Sequence, residues 1–497
     1  MERALAELRR RLGEIVDLAR ARNVLSWDME VWMPPSGSES RATQLATLES
    51  ILHDRQVDDR IGELLDALEP YAASLPDDAD DACLVRVARR GWERKRRVPT
   101  ELASELAKTE VASYQAWVRA RENGDFEAFR PWLERMLELR LRWVECFAPY
   151  ENPYDVLLDE YEEGLRADQV RAIFGVVQAE LTALVEEHAV DGEDELLRGP
   201  FAIDRQHALA REIVERFGVS WDAFRLDLTV HPFEIAFGLG DIRLTTRYGE
   251  DDLNSLFTAM HEAGHGLYEY GSNASLDRTP LCGGASSVLH ESQSRLWENV
   301  VGRSLPFWRW LFPRLQESFP TELGATTLEA FHRAVNRTQR TFVRVDADET
   351  SYGLHVILRF ELEQDLVAGR LAVKDLPDAW NSRFQELVGL EVTDDRLGVL
   401  QDSHWSGGAF GYFPTYLLGS ILSVQIWERA AAAIPDIDEQ MERGDFSELH
   451  GWLRENLYAF GSKFTPADTI ERVVGAAIDP EPYLRYLRGK LVALSAA

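Results

Sequence analysis

Apolar residues recur at helical spacing along almost the whole chain, and that pattern restricts the fold more than any other feature. Leu5, Leu8, Leu12, Ile15, Val16 and Leu18 open it, Leu181, Leu184 and Val185 carry it on, and Leu417, Ile421 and Ile426 continue it towards the end. Residues three and four apart share one face of an α-helix, so each run describes a helix with a stripe to bury. Short turns such as Met33-Pro34-Pro35-Ser36-Gly37, Pro70 and Asp479-Pro480 break the runs. At 497 residues, 45% of them hydrophobic, the chain can bury an ample core, and no linker, repeat or low-complexity tract divides it. The expectation is a mainly α protein, one interwoven helical domain over residues 1–497, pinched into two lobes around a groove. One stretch departs from the pattern. Ile242-Arg243-Leu244-Thr245-Thr246-Arg247-Tyr248 alternates and is rich in β-formers, which predicts a strand able to pair with extended backbone along its edge.

The segment from about Asp252 to Tyr270 is another predicted helix, with Leu253, Leu256, Phe257, Met260, Gly264 and Leu267 on its stripe and Gly271 stopping it. Inside it lies His261-Glu262-Ala263-Gly264-His265, a His-Glu-x-x-His pattern. One helical turn sets both imidazoles on the same face with the glutamate beside them, as a hydrolytic zinc site requires. Such a metal needs a third protein ligand and an open position for water. Residues Leu289 to Asn299 predict the helix that supplies it, with Leu289, Leu296 and Val300 as apolar positions. Glu291 is the third ligand by this reading and His290 its rival; neighbours on a helix point about a hundred degrees apart, so only one faces the metal. A salt bridge to Arg295, four residues on, is the other use for Glu291. Zinc lowers the pKa of its water towards neutrality, and Glu262, not itself a ligand, is placed to take that proton and pass it to a leaving amine. The expected chemistry is amide hydrolysis.

Beyond the metal motif the chain resembles the carboxypeptidase Taq family of thermostable metallocarboxypeptidases over nearly its whole length. Trp27-Asp28-Met29-Glu30 with Met33-Pro34-Pro35 and Glu39-Ser40-Arg41-Ala42-Thr43-Gln44-Leu45 is similar to that family's amino-terminal pattern. Pro153 to Asp159 with Tyr161-Glu162, His231-Pro232-Phe233 and Asp241 to Thr246 extend it. So do His290 to Arg295, Val343 to Glu349, Gly398 to Trp405 and Asp479 to Tyr483. The resemblance implies a cytosolic enzyme that releases single residues from the carboxyl end of peptides, broad in side-chain preference but poor on proline. It implies an almost wholly helical fold with a deep substrate groove and a small β-sheet beside the metal site, usually as a homodimer, with zinc or cobalt supporting activity. By the same carry-over His261, His265 and Glu291 match the metal ligands and Glu262 the general base.

A carboxypeptidase must recognise a free α-carboxylate, which an arginine fork binds best. Arg344 is the first choice, with an internal pair to Asp346 or Asp348 as its alternative use, and Arg243 the second. His404 and Tyr412, in the Gly-rich stretch His404 to Tyr412, are the candidate oxyanion donors, and Tyr416 stands behind them as a donor or substrate contact. His231, before Pro232, reads as structural, and His355 has an apolar neighbourhood and no catalytic role.

Three irregularly spaced cysteines, Cys83, Cys146 and Cys282, argue against a disulfide framework and for a reducing compartment, hence the cytoplasm. No run of about 18 apolar residues exists, so no membrane span is expected. A formal charge of −31 would repel a phosphate backbone and disfavours nucleic acid. The same field repels the end of a peptide, so a local arginine has to overcome it. Two rivals share these features: an oligopeptidase that cuts internal bonds with the same metal site, and a non-catalytic helical scaffold with a structural metal. Structural zinc normally takes four, cysteine-rich ligands, and no cysteine lies near His261 in sequence.

Overall fold

The computed structural model describes residues 1–190, 192 and 195–496. Helices dominate from Glu2–Val31 to Pro480–Ala496, and a single three-stranded sheet interrupts them among the described residues. The mainly α class read from the periodicity is therefore what the chain adopts. Two compact units share the chain. One comprises Met1–Arg96, Asp194–Val335 and Ser423–Ala477, the other Arg97–Glu193, Asn336–Leu422 and Ile478–Ala497. Because each unit is assembled from three separated stretches, no point in the sequence carries the composition of a linker.

In the first unit, Leu8 and Leu12 of the opening helix meet Ile61, Leu64, Leu65, Leu68, Leu84 and Leu276 in one apolar cluster. The sheet has the order β1-β3-β2: β1 (Phe224–Leu228) runs parallel to β3 (Asp241–Thr246), and β2 (Glu234–Gly238) runs antiparallel to it. This corrects the edge-pairing expectation. The strand foreseen at 242–248 is the central one, with its backbone paired on both sides, so it has no edge to offer a peptide. Its Ile242 and Leu244 are fully buried and face the helix Asn254–Tyr270, called here the motif helix.

Two glycines set how closely that helix is held. A Cβ at Gly266 would come within 2.8 Å of Leu244 and 3.0 Å of Phe224, so only hydrogen lets the helix seat on the sheet. On the opposite side, a Cβ at Gly264 would lie 2.6 Å from the Gln293 carbonyl oxygen and 2.6 Å from Ser294 Cα. That backbone belongs to the helix Ser287–Arg295, the glutamate helix. Ser286 starts it by accepting from the Leu289 amide, and the chain then widens into a π-helical turn, Leu296–Val301, where a continuous α-helix was expected to Asn299.

In the second unit the helix Tyr352–Val367 is buried on nearly every side. Its Tyr352, His355, Arg359 and Glu363 follow one another at steps of three and four, a polar stripe inside an otherwise apolar core.

Candidate active site

The motif helix and the glutamate helix bring His261, His265 and Glu291 together. Among the described residues these three form the one cluster able to grip a metal ion, with one donor atom from each lying within 4.8 Å of the others. Glu291 Oε2 stands 3.9 Å from His261 Nε2 and 3.7 Å from His265 Nε2. Its other oxygen accepts from Arg295 Nε at 2.7 Å, so the salt bridge foreseen as an alternative coexists with the ligand role and orients it.

The rings are aimed by partners behind them. His261 Nδ1 meets Glu298 Oε2 at 2.8 Å, and Glu298 is braced by Arg295 at 3.2 Å and Arg303 at 3.6 Å. His265 Nδ1 meets His290 Nδ1 at 3.0 Å, and His290 Nε2 meets Glu269 Oε1 at 2.7 Å. The tautomers follow from this network. A proton on His290 Nε2 for Glu269 leaves His290 Nδ1 to accept from His265 Nδ1–H, and Glu298 accepts from His261 Nδ1–H. As neutral rings, both ligand imidazoles therefore present an unprotonated Nε2 towards Glu291. Two nitrogen lone pairs and a carboxylate oxygen suit a divalent ion that keeps a further position open, and the second partners fix ligand orientation. His290 is thus excluded as the third ligand because both of its nitrogens are used elsewhere.

Glu262 is 6% exposed at the side of this cluster. Burial pushes its carboxyl up to about 7, with Glu291 and Glu298 adding to the rise and His261 and Arg295 opposing it. A cation on the three donors also opposes it. Glu234 on β2 is half-buried near Glu269 and Glu262, and desolvation followed by their charges raises its carboxyl well above the usual range.

Of the remaining predicted residues, Arg243 belongs to the same unit as this cluster, and Arg344, His404, Tyr412 and Tyr416 belong to the other. Arg243 on β3 makes a fork-to-fork pair with Asp241, at 2.5 and 3.0 Å, under Trp27. Arg344, 6% exposed, donates to Asp402 at 2.8 Å and to the Tyr352 hydroxyl at 2.9 Å. The internal pairing weighed for it is real, but the acid is Asp402 and not Asp346 or Asp348. Asp348 instead accepts from the amides of Gln339, Thr350 and Ser351. Asp402 also takes Arg359 Nε at 2.7 Å, and although burial raises its carboxyl, the two arginines hold it well below the usual carboxylate range. His404 Nε2 lies 3.0 Å from the Tyr416 hydroxyl, and its ring packs on Phe413 at 4.4 Å. Burial pushes this imidazole down to about 4, so it is neutral near pH 7. Tyr412 sits edge-on to Tyr161 and Tyr416. His231 is exposed, while His355 is fully buried, with neither ring nitrogen hydrogen-bonded among the described residues.

Sequence reasoning missed Glu298, Glu269, Asp402, Arg359 and Glu363. Two signals pointed to three of these: Glu298 follows Glu291 by two helical turns, and Arg359 and Glu363 fall on a polar stripe of the buried helix where an apolar one would pack better.

Two imidazole nitrogens and a carboxylate converging beside a buried glutamate define a metal-dependent hydrolase site on a helical scaffold. Residues 7–491 match the family described as carboxypeptidase Taq (M32) metallopeptidase. Thermostable carboxypeptidase 1 of Thermus thermophilus is 40% identical over 494 residues, which covers 97% of this chain and 97% of that protein. The crystal structure of the M32 carboxypeptidase from Deinococcus radiodurans superposes with a TM-score of 0.95 at 40% identity, covering 99% of this chain and 100% of that one. A Pyrococcus furiosus carboxypeptidase structure gives a TM-score of 0.94 at 33% identity, covering 98% of this chain and 99% of that one. The chain belongs to the carboxypeptidase Taq (M32) family of metallopeptidases and is a metallocarboxypeptidase.

Proposed function

We propose that this metallocarboxypeptidase is zinc-dependent, with cobalt as a substitute, and that it releases single residues from the free carboxyl end of peptides in the cytoplasm as a homodimer. The observation that carries the metal chemistry is the convergence of His261, His265 and Glu291 within 4.8 Å. His261, His265 and Glu291 would hold the ion, which when bound would supply Lewis acidity and lower the pKa of a water towards neutrality. Glu262, buried beside the three donors, would receive that proton and return it to the departing amine. Glu298 and His290 fix the tautomer and aim of the ligand imidazoles, and His404 and Tyr412 donate to the oxyanion with Tyr416 supporting His404.

For the terminal carboxylate, Arg243 now ranks above Arg344. Either fork must trade its present acid for the substrate's. Asp241 is 46% exposed and is rehydrated easily on release, whereas Asp402 is 12% exposed and is shared with Arg359. Arg243 also lies on β3, which seats the motif helix.

The test pairs one peptide with free and amidated carboxyl ends, digested by purified protein before and after chelation, with elemental analysis of the protein. Stepwise loss of terminal residues from the free peptide alone, abolished by chelation, is expected. Internal cuts in both peptides would replace the reading with an oligopeptidase. Arg243→Ala should raise KM for free-carboxylate peptides at least 10-fold with metal content unchanged, and an unchanged KM would return the anchor role to Arg344.

A further inference from the structure

We infer that Glu363 is a positioning residue for turnover, holding the Gly-rich segment 404–412 in one shape from beneath. The inference rests on the proposed role of His404 and Tyr412. Glu363 is fully buried on the helix Tyr352–Val367. One carboxylate oxygen accepts the Trp405 indole N–H at 2.7 Å, and the other accepts the Tyr154 hydroxyl at 2.6 Å and the Gly411 amide at 2.9 Å. Trp405 follows His404 directly and Gly411 precedes Tyr412, so a single side chain grips both ends of the segment next to its two proposed donors.

The segment needs such a grip. Gly407, Gly408 and Gly411 give it little stiffness, and Gly408 and Gly411 adopt φ of 73° and 85°, where glycine is favoured and no side chain adds packing. A Cβ at Gly411 would lie 2.9 to 3.0 Å from Leu157, so the backbone presses on the helix Pro153–Tyr161 that also supplies Tyr154. One turn earlier on the buried helix, Arg359 binds Asp402, two residues before His404. The same polar stripe therefore secures the segment's approach and its exit.

A fold alone gains little from this device. Burying a carboxyl opposes ionisation and pushes Glu363 up to about 7, and an apolar side chain of similar volume is often neutral or better for stability. Three donors and no acceptor around the carboxylate favour its ionised form, and the geometry they impose is more specific than apolar packing.

Glu363→Gln keeps the volume but turns an amide NH2 towards a donor. Tyr154→Phe removes one donor and leaves the carboxylate in place, so it serves if Glu363→Gln does not fold. The measurements are kcat and KM per folded, metal-loaded molecule, together with amide hydrogen exchange across 404–412. Expected are a kcat at least 10-fold lower for Glu363→Gln and several-fold lower for Tyr154→Phe, KM within 2-fold of wild type, and faster exchange confined to that segment. A purely structural role would lower the folded fraction and leave kcat per folded molecule unchanged. Wild-type kcat in both variants, or unaltered exchange at 404–412, overturns the inference. Fully active His404→Ala and Tyr412→Phe variants would instead remove the reading on which it rests.

Discussion

Replacing Asp402 by Asn tests the buried charge cluster most directly. Asp402 is the shared carboxylate of Arg344 and Arg359, which are 6% and 0% exposed. Asn is nearly isosteric, so the change removes charge without opening a cavity. Each guanidinium keeps one neutral acceptor, the Tyr352 hydroxyl for Arg344 and the His355 carbonyl for Arg359, but two positive charges then share the core without a counter-ion. Breaking a buried pair costs about 3–5 kcal/mol. The unit that contains the cluster has about 200 residues, for which the unfolding entropy is about 0.4 kcal/mol per kelvin, so its melting temperature should fall by about 7–12 °C. Differential scanning calorimetry of the metal-loaded protein at pH 7 measures it. Because the folded carboxyl is held below its unfolded value of about 3.9, its stabilisation is complete above that value and is lost as pH falls. The difference between variant and wild type should therefore be flat from about pH 5 to 8 and shrink below about pH 4. Adding Arg344→Met to Asp402→Asn should recover part of the loss, since one orphaned charge is gone. A shift under about 2 °C at pH 7 would mean the two arginines are not desolvated as described.

Three further outcomes are expected. Glu262→Gln should keep its metal by elemental analysis and lose about 100- to 10,000-fold in kcat; near wild-type turnover would take Glu262 out of the mechanism. Glu298→Ala should weaken metal binding by about 10- to 100-fold in a competition titration with a chromophoric chelator, because His261 loses the acceptor that fixes its tautomer, and an unchanged affinity would refute that orienting role. Gly264→Ala places a methyl 2.6 Å from the backbone of the glutamate helix, so it should cost about 1–3 kcal/mol in thermal unfolding and weaken metal binding as well. Intact stability in that variant would show the two helices to be less tightly apposed.

The ligand set was readable because a His-Glu-x-x-His pattern fixes its own geometry: once the segment is helical, His261 and His265 share a face. For Glu291, helical spacing narrowed the third ligand to it or His290 but did not separate the two. The choice was made by Glu269 and His265, which occupy the His290 nitrogens from another helix. The edge-strand expectation failed for a similar reason. Alternation identifies a strand but carries no information about how many neighbours it has, and β1 and β2 both chose β3. The partner of Arg344 was misplaced because proximity in sequence was used where the acid lay 58 residues away.

Local spacing by itself determined the helical class, the small strand segment and the imidazole pair with its glutamate, because each is a periodicity that short stretches of chain satisfy alone. Tertiary structure alone decided which nitrogen of each imidazole is bare, how Gly264 lets two helices touch, and that Asp402 and Glu363 sit beneath the Gly-rich segment. Those outcomes depend on burial and on partners distant in sequence, and desolvation and hydrogen-bond geometry exist only once the chain has closed on itself.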